Sequence, residues 1–587
     1  MVHFFLIYAV KFVPERSFYE KNCNGFFAAF LVFSGCAGKS SVNKKLNGTF
    51  RGSAQGMRAP IVVDVTLEKG EIKAVTVVQN EDSPVISDAA VNSIPQRICA
   101  QQNIEVDTVS GATITSFAIK TAVANALTEA GAVLDPYKKG SDAVKKTEKT
   151  EAENVDVVIV GGGISGVSAA IEFARNSNLS VVVLEKEAYT GGSARVCGGG
   201  MWVVNSEMNK KVKLDSTKEE LIAFYEKRSK GAPLNKKLIA DIYDKSADVF
   251  DYFLKGGLPV SEERWYLAHP DSKLPVLESR YEGRYAWKLG ESQMFDAVGK
   301  IAEGLGVKIR LNSKVTELVT ENGAVTGVKV EDETSKYTLN AKKVILATGG
   351  FSRNPELVKK YAPDYTKAIP FTCAGSTGDG FMLTENLGVQ IVGNGMMGIR
   401  GTTASYGYYG RIGNLVFSAK AVVNKEGKDF GLKKAFYADG LKLILDQTDS
   451  MGISIYDETN AKLADRLEEA VAAGVAKKFD TLEALASSYG IDEAEFKRTA
   501  EANDIKNGPF YGIVTNPVLI GSIPGIKVDE NCRVLDTQNQ AIKNLFACGE
   551  LIFGNVFSGA YVSSGSGLAV SAYTGAIAAD AVIDELK

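Results

Sequence analysis

Residues 155–186 read VDVVIVGGGISGVSAAIEFARNSNLSVVVLEK, and no other stretch limits the fold as tightly. An apolar run, Val155–Val160, leads into Gly161-x-Gly163-x-x-Gly166, and a helical pattern follows through Ile164 and Ser165. A second apolar run, Val181–Leu184, ends at Glu185, 19 residues past Gly166. Strand, glycine turn, helix and strand in this order make a βαβ unit on a parallel sheet. Gly161 permits the tight turn, Gly163 lets backbone approach a pyrophosphate, and Gly166 lets helix pack closely on strand. The helix N-terminus then faces phosphates, and the Glu185 carboxylate, with Lys186 beside it, accepts from ribose hydroxyls. A dinucleotide site is the expectation.

Composition narrows the chemistry. At 587 residues the chain holds three or four domains of about 150 residues. Its net charge of −3, without a long Lys/Arg block, offers no field for nucleic acid. The 7 cysteines form no CxxC or CxxCH, which removes haem, cysteine-ligated clusters and zinc ribbons. With only 2 histidines, His3 and His269, neither a histidine metal site nor a Ser-His-Asp triad is expected, and no metal is assigned. Redox chemistry here must use an organic cofactor.

Residues 1–36 read as an address. The apolar run Phe26–Phe33 is far shorter than the roughly 20 residues that span a bilayer, but it suits a signal segment. The small residues before Cys36 resemble a lipobox, with Phe33 where Leu is usual, so an extracytoplasmic, lipid-anchored protein is expected. Residues 47–135 form a compact unit. IVVDVTL and EIKAVTVV alternate around Lys69-Gly70 as a hairpin, and VDTVSGATITS leads into a helix. Residues 136–154 are highly charged and read as a solvated tether. An α/β domain then occupies 155–364 and 505–587, interrupted by a 365–504 region of mixed helices, Gly and Tyr.

Three further motifs decide the cofactor. GGSARVCGGGM (191–201) is dense enough in glycine to wrap a planar ring, KVILATGGF (343–351) is a second strand, and Gly549-Glu550 follows a third. Together they resemble the fumarate reductase/succinate dehydrogenase flavoprotein family over about residues 155–587. That resemblance implies an α/β (overall α+β) architecture: a Rossmann-like FAD domain with an inserted substrate cap. It also implies noncovalent FAD held by Gly161, Gly163, Ile164, Ser165, Gly166, Glu185, Lys186, Gly192, Ser193, Gly199, Gly200, Val315, Thr348, Gly349 and Asp379. Glu550 would approach its ribityl or pyrophosphate region, and the turn around Ser566–Leu568 would close on the flavin. No second GxGxxG follows a strand, so no separate nicotinamide domain is expected.

Asp107-Thr-Val-Ser-Gly-Ala-Thr113 resembles the motif on which a flavin transferase places FMN, through a phosphoester to the final Thr. The surrounding segment is similar to the small α+β FMN-binding domain of sodium-pumping quinone reductases and extracytoplasmic reductases. Covalent FMN at Thr113 is the expectation, and an ordinary Ser/Thr helix cap is the alternative.

The family likeness fails at the substrate. Where fumarate-type enzymes carry a proton-delivering Arg, Asn424-Lys-Glu-Gly-Lys-Asp429-Phe430 places Asp429, and the family's C-terminal Arg is missing as well. His269, in His-Pro-Asp, reads as an exposed loop residue. Fumarate and succinate are therefore not expected. Tyr561-x-Ser563-x-Gly565 instead resembles the C-terminal turn of 3-ketosteroid dehydrogenases, where a Tyr hydroxyl and a backbone N–H hold a ketone. Proton-donor candidates are Tyr406, Tyr408, Tyr409 and Arg411 in SYGYYGR, with Tyr437 beyond. The reading is a two-flavin reductase of an activated C=C, fed by a membrane donor through FMN. The favoured substrate is an enone such as a 3-ketosteroid or bile-acid-like ring. The alternatives are an unsaturated carboxylate such as urocanate or an aryl acrylate held by Arg411, a dehydrogenase running in reverse, and an electron-transfer lipoprotein.

Overall fold

The computed structural model describes residues 43–57, 59–83, 85–139, 146–149, 152–229, 231–278, 293–403, 412–559 and 561–587. The 1–36 segment with Cys36, and Tyr406, Tyr408, Tyr409 and Arg411, lie outside these residues, as does the side chain of Tyr437.

Strands Gly48–Gln55, Pro60–Glu68 and Glu71–Gln79 form an antiparallel meander in sequence order. Period-two alternation sends Ile61, Val63, Val65 and Leu67 to one face, where all are buried. Helices Ile86–Gln101 and Thr113–Glu129 cover that face with Ile94, Ile98, Ile119 and Val123. One sheet face is thus packed and the other solvated, as a small antiparallel sheet allows. Lys69 and Gly70 both take positive φ (52° and 75°), the twist that matches a two-residue hairpin.

Both ends of the charged tether are structured. Tyr137 is buried and its hydroxyl donates to the Gly70 carbonyl at 2.6 Å, so the small domain runs past 135. Thr147–Glu148 pair in parallel with Ser335 and Lys336 at the edge of the next sheet. Charge alone marks this segment as solvated, but an aromatic anchor at one end and the strand residues Thr147–Glu148 and Glu153–Asn154 toward the other seat it.

The large domain is built on a nine-stranded sheet. Glu153–Val160, Val181–Leu184, Ser335–Leu346 and Ala541–Ala547 run parallel, and their carboxyl ends coincide: Val160 stands opposite Leu184 and Leu346, and Leu346 opposite Ala547. Ile309–Arg310 extends one side in parallel, while Lys314–Glu321, Ala324–Glu331 and Arg533–Leu535 add antiparallel pairs. Helices Ile164–Asn176 and Ser566–Leu586 pack together so closely that a Cβ on Gly575 would stand 2.1 Å from the Ser165 carbonyl oxygen. Ser566–Leu586 is long and apolar enough to cross a membrane, yet 78% of its most apolar window is buried in the fold.

A six-stranded sheet forms the inserted region: Ile369–Pro370, Met396–Thr402, Ala421–Val423, Gly452–Tyr456, Ala476–Phe479 and Phe510–Ser522. Phe510–Ser522 is its spine and pairs with four of the others. Phe510–Ser522, beyond the boundary expected at 505, thus joins this sheet and not the nine-stranded one. FYGIVTNPVLIGS is apolar enough for either sheet, and its partners, distant in sequence, decide the matter.

Candidate active site

The coincident strand ends open a crevice, the place where open α/β sheets hold ligands. The turn leaving Val160 needs glycine twice. Gly161 has φ 111°, and a Cβ there would stand 2.3 Å from the Ala347 carbonyl oxygen; a Cβ on Gly166 would stand 2.0 Å from the Gly161 carbonyl oxygen. A Cβ on Gly163, in contrast, meets nothing within 4 Å, so this position faces open space. That space is a cavity of about 550 Å³ running from the turn to Tyr561. Of the sequence-predicted residues, Gly161, Gly163, Ile164, Ser165, Glu185, Lys186, Gly192, Ser193, Gly199, Gly200, Val315, Thr348, Gly349, Asp379, Glu550 and Leu568 all line it. Gly166 sits behind it as a packing contact.

At the nucleotide end, Glu185 accepts from the Gly162 and Glu187 amides, both at 2.8 Å, and burial pushes its carboxyl up to about 7. Glu550 accepts from the Ser522 amide (2.8 Å) and hydroxyl (3.0 Å), and burial again raises it to about 7. Lys186 and Asp379 pair with each other at 2.9 Å, so together they bring no net charge to the rim. The Thr348 hydroxyl is buried with no hydrogen-bond partner among the described residues. Such a group costs about 1–3 kcal/mol unless a ligand completes it. An open glycine cradle at a helix N-terminus, a strand-end carboxylate and an orphaned hydroxyl fit FAD.

The other end is made of side chains. Tyr561 is 7% exposed, and its hydroxyl accepts the Gly567 N–H at 3.3 Å, leaving its own proton to donate. Burial holds that phenol well above its ordinary range. Gly565 lines the cavity with φ 73°. Ser563 and Ser566 do not line it. They are fully buried and bond each other at 2.6 Å beneath the first turn of Ser566–Leu586, where polar backbone groups need partners.

Ser564 lines the cavity instead, 2.6 Å from the Tyr266 hydroxyl, which also lines it. Sequence reasoning missed both; Tyr266 lies in a WYL segment that reads only as an apolar strand. Phe371, Met397, Ile399, Ile520 and Phe553 make an apolar wall.

His269 is buried, not exposed. Its Nδ1 accepts the Asp271 N–H at 3.0 Å, and its ring meets Phe436 edge-to-face (4.5 Å) and Phe224 at a tilt (5.6 Å). Burial, and then Arg228, hold its pKa below 6.5. Arg228, also missed, donates to the Val562 carbonyl (3.1 Å) and to Asp439 (3.0 Å), bracing the Tyr561 turn from behind. Asp429 accepts from the Gly431 amide at 2.9 Å. None of these three lines the cavity, and among its described lining residues the only cation is the paired Lys186.

Thr113 opens helix Thr113–Glu129 at a half-buried position, with Ala112, not Thr113, as the N-cap residue. The hydroxyl is therefore not a cap, and among the described residues nothing hydrogen-bonds it. Helix amides beside an unengaged hydroxyl fit a phosphoester-linked FMN.

Residues 156–568 match the FAD binding domain family, and residues 56–128 match the FMN-binding domain family. The urocanate reductase of Eggerthella lenta is 27% identical over 583 residues, covering 92% of this chain and 94% of that one. Among solved structures, the open conformation of a flavocytochrome c3 fumarate reductase superposes with a TM-score of 0.61 at 23% identity, over 74% of this chain and 79% of that one. A 3-ketosteroid-delta4-(5alpha)-dehydrogenase from Rhodococcus jostii superposes with a TM-score of 0.60 at 21% identity, over 74% and 98%. At these identities the two structures speak for the fold.

Proposed function

The chain belongs to the FAD binding domain family and carries an FMN-binding domain ahead of it, and from that premise we propose that this flavin oxidoreductase reduces a C=C bond conjugated to a carbonyl group. The leading substrate class is an unsaturated acid bearing a ring, of urocanate or aryl-acrylate type. The end-to-end likeness to a urocanate reductase supports this class over the steroid enone favoured by the Tyr561 turn alone.

FAD held in the glycine cradle would supply hydride to the β-carbon, and FMN on Thr113 would supply electrons to that FAD. The chain's residues do the rest. One observation carries the reading: Tyr561 spends its acceptor side on Gly567 N–H and keeps its proton for a ligand oxygen. In a water-poor cavity that hydrogen bond strengthens as negative charge develops on the oxygen. The apolar wall excludes water and covers a ring face. The Tyr266–Ser564 pair holds a proton at the cavity surface for the α-carbon, and Arg411, outside the described residues, is the cation proposed for the carboxylate. An enone is the second reading, favoured by the absence of any unpaired cation among the described lining residues.

Anaerobic reoxidation of the reduced protein with urocanate, aryl acrylates, fumarate and steroid enones separates these readings. Ring-bearing acids should be reduced fastest and fumarate slowly. Fastest turnover of a steroid enone transfers the assignment to the second reading, and no reoxidation by any of them ends both. Lipidation at Cys36, a flavin transferase and a membrane electron donor complete the proposal; release from detergent extracts by Cys36→Ser tests the anchor.

A further inference from the structure

The motif that receives FMN does not stand free in solvent. A Cβ built on Gly111 would lie 2.6 Å from Glu187 Oε2, 2.7 Å from Tyr189 Cε1 and 2.8 Å from the Tyr189 hydroxyl oxygen. Glu187 and Tyr189 belong to the large domain, and both line the FAD cavity. Between them Ala188 packs into the hydrophobic cluster of the small domain. Glu187 is 7% exposed, with Oε2 lacking a hydrogen-bond partner among the described residues, and Tyr189 is 6% exposed. At the rim, Arg97 donates to the carbonyl of Asp107, where the motif begins, and reaches Glu333 across the boundary at 2.9 Å.

The close approach is specific to glycine. At φ 78°, Gly111 presents bare backbone to the Glu187–Tyr189 pair, and a side chain there would strain the turn and make those two side chains shift. The same three residues, 187–189, therefore contact the FMN attachment loop on one side and the FAD cavity on the other.

We infer that Glu187-Ala188-Tyr189 is the junction through which electrons pass from FMN to FAD, with Tyr189 as the positioning residue that sets the separation of the two flavins. The inference rests on the two-flavin reading above. In the step it serves, reduced FMN loses two electrons and is oxidised, FAD gains the same two and is reduced, and protons exchange with solvent. Tyr189 contributes no electrons; its packed ring fixes a docked geometry that a tethered domain would otherwise sample only part of the time.

The test uses the full chain, co-expressed with a flavin transferase and loaded with FAD. Hydrogen exchange of residues 107–112 reads docking without reference to activity, and rapid-mixing absorbance reads FMN-to-FAD transfer per FAD bound. In the wild type the segment should be protected. Tyr189→Ala should lower both protection and transfer rate by about tenfold or more, while Tyr189→Phe, which keeps the ring, should preserve both. Because Tyr189 also lines the cavity, Arg97→Glu gives an independent perturbation: like charges at Glu333 should loosen docking and slow transfer two- to fivefold, the scale of a surface pair. Free exchange of 107–112 in the wild type, or unchanged transfer in Tyr189→Ala, overturns the junction. Normal transfer to FAD without reoxidation by any unsaturated acid or enone would instead sink the function reading and leave the junction standing.

Discussion

The two ends of one cavity are built by different means. At the nucleotide end, the parts come from backbone: a glycine turn, amides of a helix N-terminus, and strand ends brought level by sheet register. At the catalytic end, Tyr266, Met397, Ile520, Tyr561 and Ser564 arrive as side chains from separated segments. Backbone-built sites tolerate almost no change at a few glycines and much change elsewhere. Side-chain-built sites spread function over many residues, each adjustable, and this is where relatives of one fold diverge.

The largest effect should come from the backbone end. Gly161→Ala places a Cβ 2.3 Å from Ala347 O at φ 111°, so FAD affinity should fall about 100-fold or more, on the order of 3 kcal/mol, as read by cofactor content and titration. Gly163→Ala sharpens the contrast. Its Cβ meets no protein atom within 4 Å, so the cofactor-free chain should keep its thermal midpoint while FAD binding weakens. A midpoint lowered as much as in Gly161→Ala would mean that Gly163 serves the fold and not the ligand.

At the catalytic end, Tyr561→Phe should lower kcat/KM by roughly 10- to 100-fold, the worth of one hydrogen bond to developing charge at about 1.5–3 kcal/mol. FAD content should not change, because the ring still packs on Phe557. Equal loss of FAD and turnover would show that the two ends are not separable.

A smaller effect concerns pH. Glu550 holds its proton more tightly in the folded, cofactor-free chain (about 7) than its ordinary 4.5. Stability from this group is full below about 4.5 and is lost as pH rises toward 7. Glu185 behaves alike. Thermal midpoints of the cofactor-free chain should therefore decline across that window, and Glu550→Gln should remove about half of the decline. An unchanged slope in Glu550→Gln would place the proton elsewhere.

The same division explains what was legible. GxGxxG, Glu185 and the ATGG strand could be read because a turn, a helix and a strand impose fixed spacings on consecutive residues. The Lys69-Gly70 hairpin was legible for the same reason. Tyr266 and Arg228 were not, since their roles come from packing against a turn some 300 residues away, with no local pattern. Likeness of the turn points to Ser563 and Ser566, but the turn's backbone brings Ser564 and Gly565 to the cavity and turns those two hydroxyls toward each other beneath it. His269 was read from its Pro and Asp neighbours, whereas two phenylalanines distant in sequence enclose it. The spine strand Phe510–Ser522 shows the limit for the fold: its apolarity gave the element, and only its partners gave the domain.

The central claim is that electrons held on FMN at Thr113 leave through FAD to a C=C bond, and counting product tests it most directly. Intact mass first establishes FMN on the wild type and its absence from Thr113→Val. Each fully reduced protein is then mixed anaerobically with excess unsaturated acid, without further reductant, and reduced product is counted per protein. Two flavins hold four electrons and each double bond takes two, so the wild type should yield two equivalents and Thr113→Val one. One equivalent from both proteins would mean that FMN does not feed this reaction, and the two-flavin account would be contradicted.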